Sequence, residues 1–177
     1  RDLRMSRGLG DVYKRQVAEL RERLKGKRVF ICGGTGRSFA AAALIDDFGM
    51  ELVGLETPIY DEDAQTDIEY LNGIHENFVV DIANMQPFEQ ANLLSKLKPD
   101  AFIGVLEWAA KLGIPTTHVL DGKRPTMGYD GLLFLGNKIA DQLQNPGFNV
   151  KLAQHVKLPY KDSWYQENAF KYIKGGN

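Results

Sequence analysis

Residues 26–56, GKRVFICGGTGRSFAAAALIDDFGMELVGLE, restrict the fold more than any other part of the chain. A compact apolar run at Arg28–Cys32 leads into Gly33-Gly34-Thr35-Gly36-Arg37, then an alanine-rich stretch at Ser38–Phe48, then a second apolar run at Glu51–Leu55. Apolar runs of about five residues read as strands buried on both faces, and the alanine-rich segment reads as a helix that Gly49 ends as its C′ residue. A strand, a helix and a second strand with so little chain between them form a parallel crossover unit, which is right-handed in nearly all proteins.

The same alternation continues. Helices are predicted at Asp63–Leu71, Gln86–Leu97 and Glu107–Leu112, and strands at Asn77–Ile82, Asp100–Val105 and Thr116–Leu120. A long amphipathic helix at Gly128–Leu143 carries Leu132, Leu135, Ile139 and Leu143 at helical spacing. The expected fold is α/β, an open parallel sheet of about five strands with helices on both faces, a Rossmann-like three-layer sandwich. The expected strand order is 3-2-1-4-5, with 2-1-3-4-5 as the alternative. Ligands in such sheets sit beyond the carboxyl ends of the strands, near the switch in strand order. Any site is therefore expected among the loops after Cys32, Leu55, Ile82, Val105 and Leu120.

Three segments are expected. Residues 1–16, RDLRMSRGLGDVYKRQ, carry five basic and two acidic residues and show no helical or strand periodicity. They read as an adaptor-derived translation or a disordered basic tail, and are set apart from the fold. Residues 17–145 form the domain, opening on a short amphipathic helix with Val17, Leu20 and Leu24 on one face. Residues 146–177 read as an irregular extension whose Trp164-Tyr165 and Phe170–Tyr172 dock on the domain or on a partner.

Charge and cysteine content narrow the function. The net charge of −1 leaves no electrostatic footprint for nucleic acid. No apolar stretch approaches the roughly 20 residues of a membrane span. A single cysteine, Cys32, excludes an internal disulfide and a self-contained four-cysteine cluster, and suits a cytoplasmic setting.

Gly33, Gly34 and Gly36 allow positive φ and let a bulky group approach the backbone, and the following helix aims its N–H groups and positive dipole end at that group. Arg37 adds charge, so a ligand there is expected to be anionic. The pattern is neither G-x-G-x-x-G, because Phe39 takes the third glycine's place, nor a P-loop. A tight turn with no ligand is the other reading. Glu56 ends the second strand where dinucleotide enzymes place a ribose-binding acid, a weak signal. His118 falls at the end of the fifth strand on the ligand edge, whereas His75 and His155 sit in polar contexts expected to be exposed. No nucleophile–base arrangement is present, and Cys32 reads as a buried strand residue.

The ordered series LKGKRVFICGG, DFGMELVG, LKPDAFIG, LGIP, then His118 with Gly128-Tyr129-Asp130-Gly131 ten residues on, resembles the C-terminal Rossmann-like domain of α-type subunits of nitrogenase component 1 proteins. The resemblance covers residues 22–145. It implies that Gly33 and Gly34 let the backbone approach an iron–sulfur-based metallocluster, with Thr35 and Arg37 as hydrogen-bond donors around it. It further implies that His118 is a ligand at the heterometal end. The implied partners are a homologous β-type subunit and an ATP-dependent iron–sulfur reductase, and the implied activity is reduction of a small substrate or service as a cofactor-assembly scaffold. The chain departs from the family in having Gly36 where a cation is usual, a shorter loop after the fourth strand without its lysine, and none of the cysteine-bearing N-terminal half. A chain of this extent is thus expected to be inactive alone. Two further readings stay open, a nucleotide- or phosphate-binding Rossmann module and a domain that packs against a partner subunit.

Overall fold

The computed structural model describes residues 2–83, 86–104, 107–118 and 128–166. Among them a five-stranded, all-parallel sheet runs in the order β3-β2-β1-β4-β5. The strands are β1 (Arg28–Cys32), β2 (Glu51–Thr57), β3 (Val79–Ile82), β4 (Ala101–Gly104) and β5 (Thr116–Thr117). The helices are α1 (Asp2–Leu24), α2 (Thr35–Asp47), α3 (Glu62–Asn72), α4 (Pro87–Leu97), α5 (Glu107–Lys111), α6 (Gly128–Gln144), α7 (Gly147–His155) and α8 (Asp162–Gln166). The α/β class and the first-choice strand order are those read from the sequence.

Alternation along each strand divides the core. Val29 and Ile31 of β1, Leu52 and Leu55 of β2, and Ala101 and Ile103 of β4 face one side, where α1, α2, α3 and α6 cover them with Leu20, Leu24, Ile45, Phe48, Leu71, Leu135 and Ile139. Phe30, Val53 and Phe102 face the other side, under Leu94 of α4 and Ala109 of α5. Phe30 and Phe102, paired across β1 and β4, stack with centroids 5.8 Å apart. Gly54 makes room for that stack, because a Cβ there would lie 2.5 Å from the Phe30 ring.

Element ends follow local chemistry. Gly49, at φ +64, closes α2 in the left-handed conformation expected of a C′ glycine. Asp61 caps α3 by accepting the Ala64 N–H at 2.8 Å. Pro87 opens α4, and Lys98 ends it at φ 46, immediately before Pro99.

Three differences from the sequence reading have physical causes. The first helix runs from Asp2 rather than Val17. Extending a helix already anchored by Val17, Leu20 and Leu24 costs little per residue, and the Tyr13 ring packs edge-on against Tyr129 of α6 at 4.7 Å. Residues 2–16 are therefore helical here, whatever their origin. Strand β3 starts at Val79 rather than Asn77, because Asn77 takes φ 56 and leaves the extended conformation. In the described part of the extension two helices form, where irregular chain was expected: α7 packs on α5 and α8 packs on α4. Rings of Phe88, Trp108, Tyr160, Trp164 and Tyr165 gather there at centroid distances of 5.4–6.1 Å. Phe170 and Tyr172, the other aromatic residues named for the extension, lie outside the described residues. So do Val105 and residues 119–127.

Candidate functional site

Because every strand is parallel, the chain leaves β1, β2, β3, β4 and β5 at one common edge. Gly33 and Gly34 follow Cys32 on that edge, and His118 follows Thr117. Only β4 separates the two strands, so the glycine turn and His118 stand about two strand spacings apart, roughly 10 Å. The switch in strand order falls between β1 and β4, at the glycine turn itself.

The turn's glycines are not there for unusual backbone angles. Gly34, the N-cap of α2, has φ −60 and ψ 146, which any residue adopts, and neither Gly33 nor Gly36 has positive φ. The expectation of positive φ is thus corrected. What the absent side chains leave is space: a Cβ at Gly34 or at Gly36 would meet nothing within 4 Å. The fold has room for a Cβ at both positions, and glycine leaves the backbone open from outside. At Gly33 a Cβ would lie 3.1 Å from Oγ of Ser38, a fully buried hydroxyl without a hydrogen-bond partner. No side chain caps α2 and no acid sits in its first turn, so its leading N–H groups and positive dipole end face this space uncompensated. Thr35 is the first residue of α2, and Arg37 lies exposed on the same turn.

His118 is half-buried at the edge of the sheet. Gly128, at φ +74, begins α6, and the following Tyr129 and Asp130 are exposed. His75, expected to be exposed, is instead buried, with Nε2 2.8 Å from the Ala42 carbonyl oxygen. It ties the chain after α3 to α2 and has no place at the site. His155 is exposed, as expected. A groove of about 580 Å³ opens at the opposite, amino-terminal edge between Arg28, Glu51, His75 and Asn77, away from the glycine turn.

Beside the turn lies a feature that the spacing of residues did not reveal. The strand register pairs Cys32 with Glu56, and Glu56 with Asp81. Paired residues of parallel strands point to the same face, so thiol and two carboxyls form one row across β1, β2 and β3. Gln90 of α4 closes over it, donating from Nε2 to Glu56 Oε2 at 2.6 Å and approaching Cys32 Sγ at 3.6 Å. Glu56 is 1 % exposed and Asp81 7 %, and Asp81 Oδ2 has no hydrogen-bond partner. Burial pushes the Glu56 carboxyl up to about 7, against the Gln90 hydrogen bond and with help from the Asp81 charge. Burial and then the Glu89 charge raise Asp81 to about 6. The Cys32 thiol is driven up to about 12, by burial first and the Glu56 charge second. Glu56 therefore points under Gln90 of α4. The one legible hint of the row was a carboxylate inside the apolar strand Val79-Val80-Asp81-Ile82. Gly104 ends the row on the β4 side, and a Cβ there would sit 2.3 Å from the Cys32 carbonyl oxygen.

The residues present fit an anionic group approached by bare backbone, and they supply one wall of a site rather than a closed shell. No cluster of three or more histidine, cysteine or carboxylate side chains suited to a metal exists among the described residues. Nor is any helix among them long and apolar enough to cross a membrane.

Comparison with known proteins bears on the fold and the family. Residues 4–144 match the family model described as nitrogenase component 1 type oxidoreductase. The nitrogenase iron-molybdenum cofactor biosynthesis protein NifE of Sinorhizobium fredii is 29 % identical over 136 residues, covering 75 % of this chain and 27 % of that protein. NifE of Rippkaea orientalis is 27 % identical over 157 residues, covering 86 % and 32 %. The chain thus spans about a third of the length of these curated relatives. Among solved structures, nitrogenase Cp1 at pH 5 superposes with a TM-score of 0.62 at 17 % identity, over 85 % of this chain and 36 % of that one. The same protein at pH 6.5 gives 0.62 at 16 % identity, over 85 % and 39 %. With a match over most of its length and the family's Rossmann-like architecture, the chain belongs to the nitrogenase component 1 family of oxidoreductases.

Proposed function

We propose that this chain is the part of a component 1-type subunit that forms one wall of an iron–sulfur-based metallocluster site, serving cofactor assembly. The observation that carries the reading is the glycine turn. Its bare backbone meets no internal neighbour at Gly34 and Gly36, and it faces outward at the positive end of α2. Gly33 and Gly34 give the cluster close access to the backbone, Thr35 and Arg37 stand as donors around it, and His118 on the same edge serves as its metal ligand. A neutral imidazole suits a transition metal, and surrounding donors tune the charge it carries. The other ligands come from outside residues 1–177.

The assembly role is favoured by the two curated relatives, both named as cofactor biosynthesis proteins. The family model's description as an oxidoreductase favours a second reading, reduction of a small substrate with electrons from an ATP-dependent iron–sulfur reductase. In either role a homologous β-type subunit pairs with this one, in the cytoplasm.

Metal content tests the wall. In the complete subunit, purified without oxygen, Gly34→Leu is expected to lower bound iron about tenfold while leaving the melting temperature nearly unchanged, because a Cβ there meets no neighbour. His118→Ala is expected to change the electron paramagnetic resonance signal of the cluster. Unaltered iron content and spectrum in both variants would refute the site. Micromolar binding of a labelled nucleotide, abolished by Gly34→Leu, would instead establish the phosphate-binding reading.

A further inference from the structure

The row formed by Cys32, Glu56 and Asp81 has no part in holding a ligand at the turn, yet it is joined to that turn by the backbone. The Gly33 N–H donates to the Glu56 carbonyl oxygen at 3.3 Å, and Cys32 directly precedes Gly33. We propose that Glu56 and Asp81 form a charge-coupled pair whose protonation sets the charge beneath the glycine turn.

Geometry carries the argument. Two carboxyl groups stand in register on adjacent strands, about 5 Å apart at the backbone, on a face covered by α4. Two like charges that close and that buried do not both ionise readily, so the pair titrates as a unit. Gln90 donates to only one of the two, at Glu56 Oε2. Asp81 is 93 % buried and its Oδ2 lacks a hydrogen-bond partner, which is how a carboxyl oxygen stands when it awaits a proton. The groups that bear on the pair are Cys32 from β1 and Glu89 and Gln90 from α4, and none of them brings a positive charge. The thiol stays protonated throughout the neutral range.

The pair therefore changes its net charge within the range where cells operate. With the proton bound, it carries one negative charge or none. Without it, two negative charges lie beside the strand end from which the turn springs, and they oppose any anion seated at the N-terminus of α2. Proton binding in the row and anion binding at the turn favour each other by linkage. The anion half of this statement rests on the reading of the turn given above; the proton half stands on the row alone.

The test uses the full chain without any ligand. Carboxyl resonances of Glu56 and Asp81 and amide resonances of Gly33 and Gly34 are followed by nuclear magnetic resonance from pH 4 to pH 9. The glycine amides are expected to shift with a midpoint between pH 6 and 8 that coincides with a carboxyl transition. Glu56→Gln is expected to abolish that midpoint and to bring Asp81 to lower pH. Glu89→Gln, a milder change at a half-buried position, is expected to move both midpoints to lower pH without unfolding the chain. Flat glycine amides, or a midpoint that survives Glu56→Gln, would overturn this coupling. Failure of the metallocluster reading would leave these titrations unaltered, so the two proposals fail separately.

Discussion

The two faces of the sheet are built on different terms. Among the described residues, twenty buried apolar residues on the side of α1, α2, α3 and α6 form one continuous cluster, with Phe48, Ile45, Leu24 and Leu135 fully enclosed. On the side of α4 and α5 the cluster has five buried members among the described residues, and that face also carries the Cys32–Glu56–Asp81 row and an aromatic cover from the extension. The first face spends its area on transfer of apolar surface out of water. The second holds groups whose protonation and packing respond to conditions, so it is the adjustable one.

The largest expected effect falls on the first face. Phe48→Ala removes a ring that is fully buried and against which Gly136 of α6 packs so closely that a Cβ there would come within 2.6 Å. It is expected to cost about 3–5 kcal/mol in urea denaturation. A cost under about 1 kcal/mol would erase the distinction between the faces.

The second face should reveal itself through pH. Glu56 is raised from 4.5 to about 7 and Asp81 from 3.8 to about 6. Their folded state thus binds protons more tightly than the unfolded chain does. The stability this confers is complete below about pH 4 and is lost as pH rises toward 7. The loss attributable to Glu56 is on the order of 3 kcal/mol. Glu56→Gln is expected to flatten the dependence of the denaturation midpoint on pH, whereas Phe48→Ala should lower the whole curve without changing its slope.

A smaller effect tests the aromatic cover. The Asn92 Nδ2 donates to the Trp164 carbonyl oxygen at 2.8 Å and fixes α8 to α4. Asn92→Ala is expected to cost roughly 1–2 kcal/mol and to speed amide hydrogen exchange in α8 before any other helix. Smallest of all is a null result with content: Cys32, despite its place beside the site, should resist iodoacetamide at pH 8 in the folded chain, since its thiol is held up to about 12. Rapid alkylation would mean that the row is open to solvent.

Much of the fold was readable before the structure. The five apolar runs, Gly49 at the end of α2 and Pro99 after α4 placed the strands and the crossovers, because burial on both faces leaves a plain mark on a strand. What was hidden depends on tertiary contact. The first turns of α1 are an exception, because Met5, Leu9 and Tyr13 continue the four-residue spacing that leads to Val17 and mark the helix in the sequence itself. The short α7 and α8 exist because α5 and α4 receive them. Asn149 of α7, for example, donates to the Ile114 carbonyl oxygen at 2.8 Å. At the site, Gly33, Gly34 and His118 could be assigned to one edge from strand direction alone. The row could not, since strand register is not written in the spacing of Cys32, Glu56 and Asp81, and only register turns three distant residues into neighbours.

Gly104 has an evolutionary corollary. Because the Cys32 carbonyl oxygen occupies the place where a side chain would begin, any replacement at position 104 must push the two central strands apart. Drift at that seam is blocked, and with it any gradual reshaping of the cleft from below. The loops above carry no such constraint from this seam, so substitutions there leave the spacing of β1 and β4 as it is.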